Sequence, residues 1–304
     1  MRFLLSFLPE NDPAHRFHSW ATQCARIHPA ESFHRVNARI TLECMSNDNA
    51  ETPSLLSHAG MRISPAGGHV TSASTGHGEL FYLSSKANIG VGESIRGGVP
   101  VIAPWFGGLL GQSPSHGWAR RELWSVEQQP KGFVAKLRHE DICLELRTRR
   151  EDEELSITLQ AINRGSRPTT AQFALHPYFA VGDIQSTVLR GLGGTRALNQ
   201  LSGEEYSLPK ELRIQGEFDV IAHESRRVVI DDGVRRIVVS PIGADATVVW
   251  NPGEQQAAAI EDIGPGEWRN FVCVEPALLG DGLKGVRLRS GDAATVGMRI
   301  HVEE

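Results

Sequence analysis

From Ser54 onward the chain alternates apolar and polar positions in short runs broken by turn residues. Phe133-Val134-Ala135-Lys136-Leu137-Arg138, Ile142-Cys143-Leu144-Glu145-Leu146-Arg147 and Leu155-Ser156-Ile157-Thr158-Leu159 repeat at a period near two. That is the period of a strand with one buried face. Arg226-Arg227-Val228-Val229-Ile230 meets Asp231-Asp232-Gly233 and then Arg236-Ile237-Val238-Val239, a hairpin signal. Met61-Arg62-Ile63-Ser64 ends in Pro65-Ala66-Gly67-Gly68, another strand closed by a turn. Many short strands at this spacing predict an all-β sandwich over residues 52–304. Residues 1–51 lack the pattern. They carry His15, His18, His28 and His34 among arginines with no clear period, and the spacing of these histidines gives no clean ligand set. An N-terminal extension, loosely packed or partly helical, is expected there.

Composition narrows the class. Hydrophobic residues are 40% and charged residues 22% of the 304, an ordinary soluble profile. A formal net charge of −5 argues against a general nucleic-acid binder. No apolar run approaches the roughly 18 residues that span a bilayer. Met1–Leu8 is apolar but runs straight into Pro9-Glu10-Asn11-Asp12, so no secretory signal is expected. Cys24, Cys44, Cys143 and Cys273 are scattered without a C-x-x-C pair. That spacing indicates neither a zinc site nor a redox motif and fits a reducing cytoplasm. Cys143 and Cys273 sit in apolar-rich strands and read as small buried hydrophobes.

The tract Ser94-Ile95-Arg96-Gly97-Gly98-Val99-Pro100-Val101-Ile102-Ala103-Pro104-Trp105-Phe106-Gly107 suits neither helix nor uninterrupted central strand. Glycine and proline disfavour the first, and proline has no N–H for the ladder of the second. It reads as a shaped wall with a guanidinium beside it. Its glycines allow close backbone approach, and arginine offers a rigid fork of donors, a combination for an anionic or hydroxyl-rich ligand. A plain turn with a surface arginine accounts for this tract alone equally well.

Further along stand Ser115-His116-Gly117-Trp118-Ala119-Arg120, Leu175-His176-Pro177-Tyr178-Phe179, Val249-Trp250-Asn251-Pro252 and Val272-Cys273-Val274-Glu275-Pro276. With Ile95–Pro100 they form five short motifs in one order. Together they resemble the hexose-6-phosphate mutarotases, or glucose-6-phosphate 1-epimerases, of the aldose-1-epimerase-like superfamily, from about Leu55 to near the C-terminus. The resemblance implies a galactose-mutarotase-like β-supersandwich, catalysis without cofactor or metal, and a monomer acting on a small sugar phosphate, with neither nucleic acid nor membrane as partner.

Anomerisation requires a base at the C1 hydroxyl and an acid at the ring oxygen, each best tuned near the operating pH. Glu275 closes the apolar run Phe271-Val272-Cys273-Val274, where a carboxylate needs a partner or a polar pocket. A strand-end glutamate at the solvent edge is the plain alternative; the resemblance makes Glu275 the base. Strand alternation puts Ala174, His176 and Tyr178 on one face. A core histidine is the commoner reading there, and the resemblance makes His176 the acid, facing Glu275 across a cleft. Pro177 stands where the family commonly has threonine. The resemblance also makes His116 and Arg120 substrate binders, with Arg96 and Arg120 flanking one phosphate. Trp105 could stack on a sugar face or simply pack. The family's substrate-contacting aspartate after a G-L-x-G element matches Asn199 here, which keeps the hydrogen-bonding shape without the charge. Asn251-Pro252 reads as a structural strand-to-turn junction. Two other functions remain open on the sequence: an aldose 1-epimerase for an unphosphorylated or other sugar, and a sugar-binding or regulatory protein without turnover.

Overall fold

The computed structural model describes residues 54–303, and the expected N-terminal extension of residues 1–51 lies outside them. A nine-stranded sheet runs in the order Glu211–Leu212, Val188–Arg190, Val228–Asp231, Arg236–Ile242, Ala293–Glu303, Glu154–Asn163, Ile142–Glu151, Gly132–His139, Ser125–Gln129. An eight-stranded sheet carries the order Glu205–Ser207, Arg196–Asn199, Phe218–Ala222, Ala246–Asn251, Phe271–Leu278, Phe173–Leu175, Val101–Ile102, with Tyr178–Ala180 also paired to Phe271–Leu278. The alternating runs read from the sequence are the long strands of the first sheet. The Asp231-Asp232-Gly233 turn joins two of them, with Ile230 opposite Ile237.

The main core is built from the inward half of each alternation. Leu144, Leu146, Leu155, Ile157, Leu159, Ile237, Val239, Met298 and Ile300 of the larger sheet join one buried cluster with Phe173, Leu175, Val220, Val249, Val272 and Val274 of the smaller. Each such side chain contributes about 1.5–3 kcal/mol when fully buried. Strand period two then dictates that the intervening residues of the smaller sheet face the other way. Its second face carries a separate apolar cluster that includes Ile102, Phe106, Ala174, Ile221, Ala246, Val248 and Ala277. The polar residues described below lie in the same rows as this second cluster.

Two devices shape the loop around Arg96. Gly98 has φ +61°, and a Cβ there would run into the Val70 carbonyl oxygen and the His69 ring. His69 is buried and donates through Nε2–H to the Gly97 carbonyl at 2.8 Å. Burial pushes His69 down to about 4, so it is uncharged at neutral pH and donates to that carbonyl. The close backbone approach that the two glycines permit is therefore to the chain itself, not to a ligand. Asn251 fulfils the structural role read for it. It is fully buried, its Nδ2 donates to the Trp268 and Phe271 carbonyls at 2.9 Å each, and its Oδ1 accepts from the Gly253 N–H. That last bond anchors the start of the short helix Gly253–Ala259.

Candidate active site

Register places the candidate residues. Ala174 pairs with Ala277 and Tyr178 with Cys273, so one unbroken register carries the chain past Pro177 and sets His176 beside Glu275. Trp250 pairs with Cys273 and Asp219 with Trp250. One cross-strand row therefore reads Tyr178, Cys273, Trp250, Asp219, and the next His176, Glu275, Val248, Ile221. The second row shares the strand face of the separate apolar cluster through Val248 and Ile221, whereas Tyr178 and Cys273 of the first row also pack into the main buried cluster. The interruption at Pro177 does not disturb the alternation: His176 and Tyr178 rings stack at 4.9 Å with an interplanar angle of 14°.

These rows floor a cleft of ≈ 380 Å³. Arg96, Pro100, Phe106, Gly107, Ser115, His116 and Arg120 line its loop side, and Gln200 and Asp219 its far end. Trp250 forms part of the wall, edge-on to His176 at 5.8 Å.

His176 Nε2 lies 3.3 Å from Glu275 Oε1. The two stand side by side on neighbouring strands, so the expectation of an acid and a base facing one another across the cleft is corrected: they reach the same point from the same floor. His176 is 8% exposed and Glu275 1%. Burial drives His176 well below its ordinary value, and the positive fields of His116, Arg96 and Arg120 add to it. Burial drives Glu275 well above the carboxylate range, with the Asp219 charge behind it. Both shifts favour an uncharged pair that holds one proton between its two members. His176 Nδ1 and Glu275 Oε2 have no hydrogen-bond partner in the protein. A buried polar atom left so costs about 1–3 kcal/mol, and such atoms concentrate at functional sites.

His116 sits on the glycine-marked loop at φ +64°, a conformation sparse for a residue with a side chain. The next residue, Gly117, allows the turn: a Cβ there would collide with the Ala103 carbonyl. His116 Nδ1 accepts from the Gly107 N–H at 3.2 Å, so in the neutral ring the proton is on Nε2. Burial and the two arginines lower His116 to about 3. It is a neutral donor at any physiological pH.

The two arginines differ. Arg96 Nε donates to Asp262 Oδ1 at 2.9 Å, and its Nη1 donates to the Tyr178 hydroxyl at 2.9 Å. Arg120 Nη2 donates only to the Ser115 carbonyl, its Nε is buried without a partner, and it has no place among the ion pairs of the described residues. Burial, together with Arg121 and Arg96 nearby, pushes Arg120 down to about 10. It is a charged group without a carboxylate.

Two expected binders are not in the cleft lining. Asn199 spends its Oδ1 on the N–H groups of Leu201 and Ser202, an Asx turn that caps the hairpin between Arg196–Asn199 and Glu205–Ser207. The positions that do face the cleft are its neighbour Gln200 and Asp219, which hydrogen-bond to each other. Trp105 turns its Nε1–H to the Pro114 carbonyl at 2.7 Å and packs within the loop; Trp250 is the aromatic that lines the site. Asp219 was detectable as a carboxylate inside the apolar strand Phe-Asp-Val-Ile-Ala, on the face opposite Val220. Burial raises it to about 6, opposed by the bond from Gln200. His176, Cys273 and Glu275 bring one ligand atom each within 4.8 Å of one another. Burial pushes the Cys273 thiol up, which weakens it as a thiolate ligand.

A weak acid and a weak base at one point, beside polar side chains and an arginine without a carboxylate, can move protons between neighbouring oxygens of a bound molecule. Comparison with known proteins gives the family. The sequence profile of the aldose 1-epimerase family matches residues 56–301. A Cenchrus ciliaris protein provisionally named glucose-6-phosphate 1-epimerase is 33% identical over 254 residues, covering 74% of this chain and 76% of the relative. A Haemophilus influenzae protein of the same provisional name is 29% identical over 66% of this chain and 73% of its own. The crystal structure of a provisionally described mutarotase from Salmonella typhimurium superposes with a TM-score of 0.72 at 25% identity, covering 82% of this chain and 90% of that one.

Proposed function

Because the chain belongs to the aldose 1-epimerase family, we propose that it interconverts the α and β anomers of a hexose 6-phosphate, with glucose 6-phosphate the first candidate. The single observation that carries the phosphate is Arg120, a half-buried guanidinium on the cleft wall with no carboxylate of its own. Arginine matches phosphate oxygens with paired donors. An unphosphorylated hexose would leave that charge unanswered.

The chemistry follows from the pair on the floor. The C1 hydroxyl and the ring oxygen hang on one carbon, so acid and base must reach nearly the same point, as groups 3.3 Å apart do. In the resting pair burial keeps the proton on Glu275; with sugar bound it passes across the 3.3 Å contact to His176, leaving Glu275 as the base. Glu275 takes the O1 proton while His176 protonates the ring oxygen, and the ring opens. What remains is neutral imidazole beside a carboxylic acid, the state that burial of both groups favours. Rotation about C1–C2 and the reverse transfers close the ring on the other face. Protons balance, and neither step asks for a metal or cofactor. His116 Nε2–H, Gln200 and Asp219 serve the sugar hydroxyls, and Trp250 offers an apolar wall. The scattered cysteines and a phosphorylated substrate fit a cytoplasmic enzyme.

Arg120→Ala tests the phosphate. The expected result is a rise of at least tenfold in KM for the hexose 6-phosphate, with little change for the free hexose. Equal effects on both substrates overturn the assignment.

A further inference from the structure

We infer that Asp262 is a specificity-determining residue: it acts as the built-in counter-ion of Arg96, keeps that arginine from serving as an anion receptor, and so leaves Arg120 as the cleft's single anion anchor. The inference rests on the reading of Arg120 as the phosphate contact, and it divides roles that the sequence assigned jointly to two arginines.

The local charges support it. Two guanidiniums line the cleft; the charge of Arg96 bears on Arg120, and both bear on His116. Among the described residues Asp262 is the carboxylate in contact with either of them. It contacts Arg96, with the side chains 23% and 33% exposed, and it reaches Arg120 only as a longer-range field. Arg96 is thus charge-neutralised through Nε and fixed through Nη1 by the Tyr178 hydroxyl, whose ring stacks on His176. A guanidinium held in this way presents a stationary donor to a sugar hydroxyl. It meets a phosphate poorly, because the anion must displace or repel Asp262. Asp262 belongs to the segment that follows the helix Gly253–Ala259, outside the strands that carry His176 and Glu275, so its charge can be altered without changing a residue of the floor.

The test uses the full chain and inorganic phosphate as probe. Asp262→Asn keeps an oxygen to accept from Arg96 and removes only the charge. Calorimetric titration should show inorganic phosphate binding tighter by about tenfold, the scale of one half-buried charge pair at this range. The ratio of kcat/KM for a hexose 6-phosphate to that for the free hexose should rise in step. In Arg120→Ala, phosphate binding should be lost, and adding Asp262→Asn should restore part of it through the freed Arg96. A purely structural Asp262 would lower kcat alike for both sugars and leave phosphate affinity unchanged; that result overturns the inference, as does failure of the double variant to regain binding. If the wild-type protein turns over only free sugars, the proposed substrate falls, yet the phosphate titrations still decide the role of Asp262.

Discussion

Replacing Glu275 with glutamine separates chemistry from architecture. The side chain is 1% exposed, 3.3 Å from His176 Nε2, and has one oxygen without a partner. Glutamine has the same length and volume, so no cavity opens and His176 keeps its neighbour. What disappears is the carboxylate assigned to take the O1 proton. General acid–base catalysis is worth about 10²–10⁴-fold, so kcat for anomer interconversion should fall by at least about a hundredfold. Stability should move the other way. Burial raises Glu275 above its unfolded value of about 4.3, so the folded protein holds a proton that the unfolded chain releases. That contribution is complete below pH about 4 and is lost as pH rises, whereas glutamine has no such loss. The variant's melting temperature should therefore equal or exceed that of the wild type, with the gap widening from pH 5 to pH 8. Polarimetry under conditions where spontaneous mutarotation is slow gives kcat, and calorimetry gives the transition. A variant that keeps its fold and turns over within a few-fold of the wild-type rate would refute the reasoning.

Asp219→Asn removes a carboxylate that burial raises to about 6, so it should melt above the wild type at pH 8 and level with it near pH 4; a constant gap across pH contradicts the assignment. Asn251→Ala strands two carbonyls and an N–H that its side chain now satisfies, and should lower stability by about 3 kcal/mol in urea titration without changing KM; a loss under 1 kcal/mol counts against it. Gly98→Ala combines a left-handed backbone with a collision at Val70, and a loss of about 3 kcal/mol is expected; a neutral result would show that the loop can shift.

Much of the fold is legible in the sequence. Strands with one buried face announce themselves by alternation, and the hairpin at Asp231–Gly233 by its turn residues. Alternation also put His176 and Tyr178 on one face correctly, because the register survives Pro177. What alternation cannot supply is cross-strand neighbours. Asp219, Trp250 and Glu275 lie far apart in sequence and meet only because three strands pair in one register. Asn199 misled because a short polar side chain after a strand serves equally as a ligand or as a turn cap, and here the turn uses its oxygen twice. The division between Arg96 and Arg120 was invisible for the same reason, since Asp262 lies 166 residues from the arginine that it neutralises.

The most direct measurement is exchange NMR on equilibrium mixtures of α- and β-glucose 6-phosphate, with free glucose and galactose as parallel samples. The account predicts that catalytic amounts of protein speed anomer exchange of the phosphate well beyond that of either free sugar, and that His176→Ala removes the acceleration. Exchange of glucose 6-phosphate at its spontaneous rate, or equal acceleration of all three sugars, would contradict it.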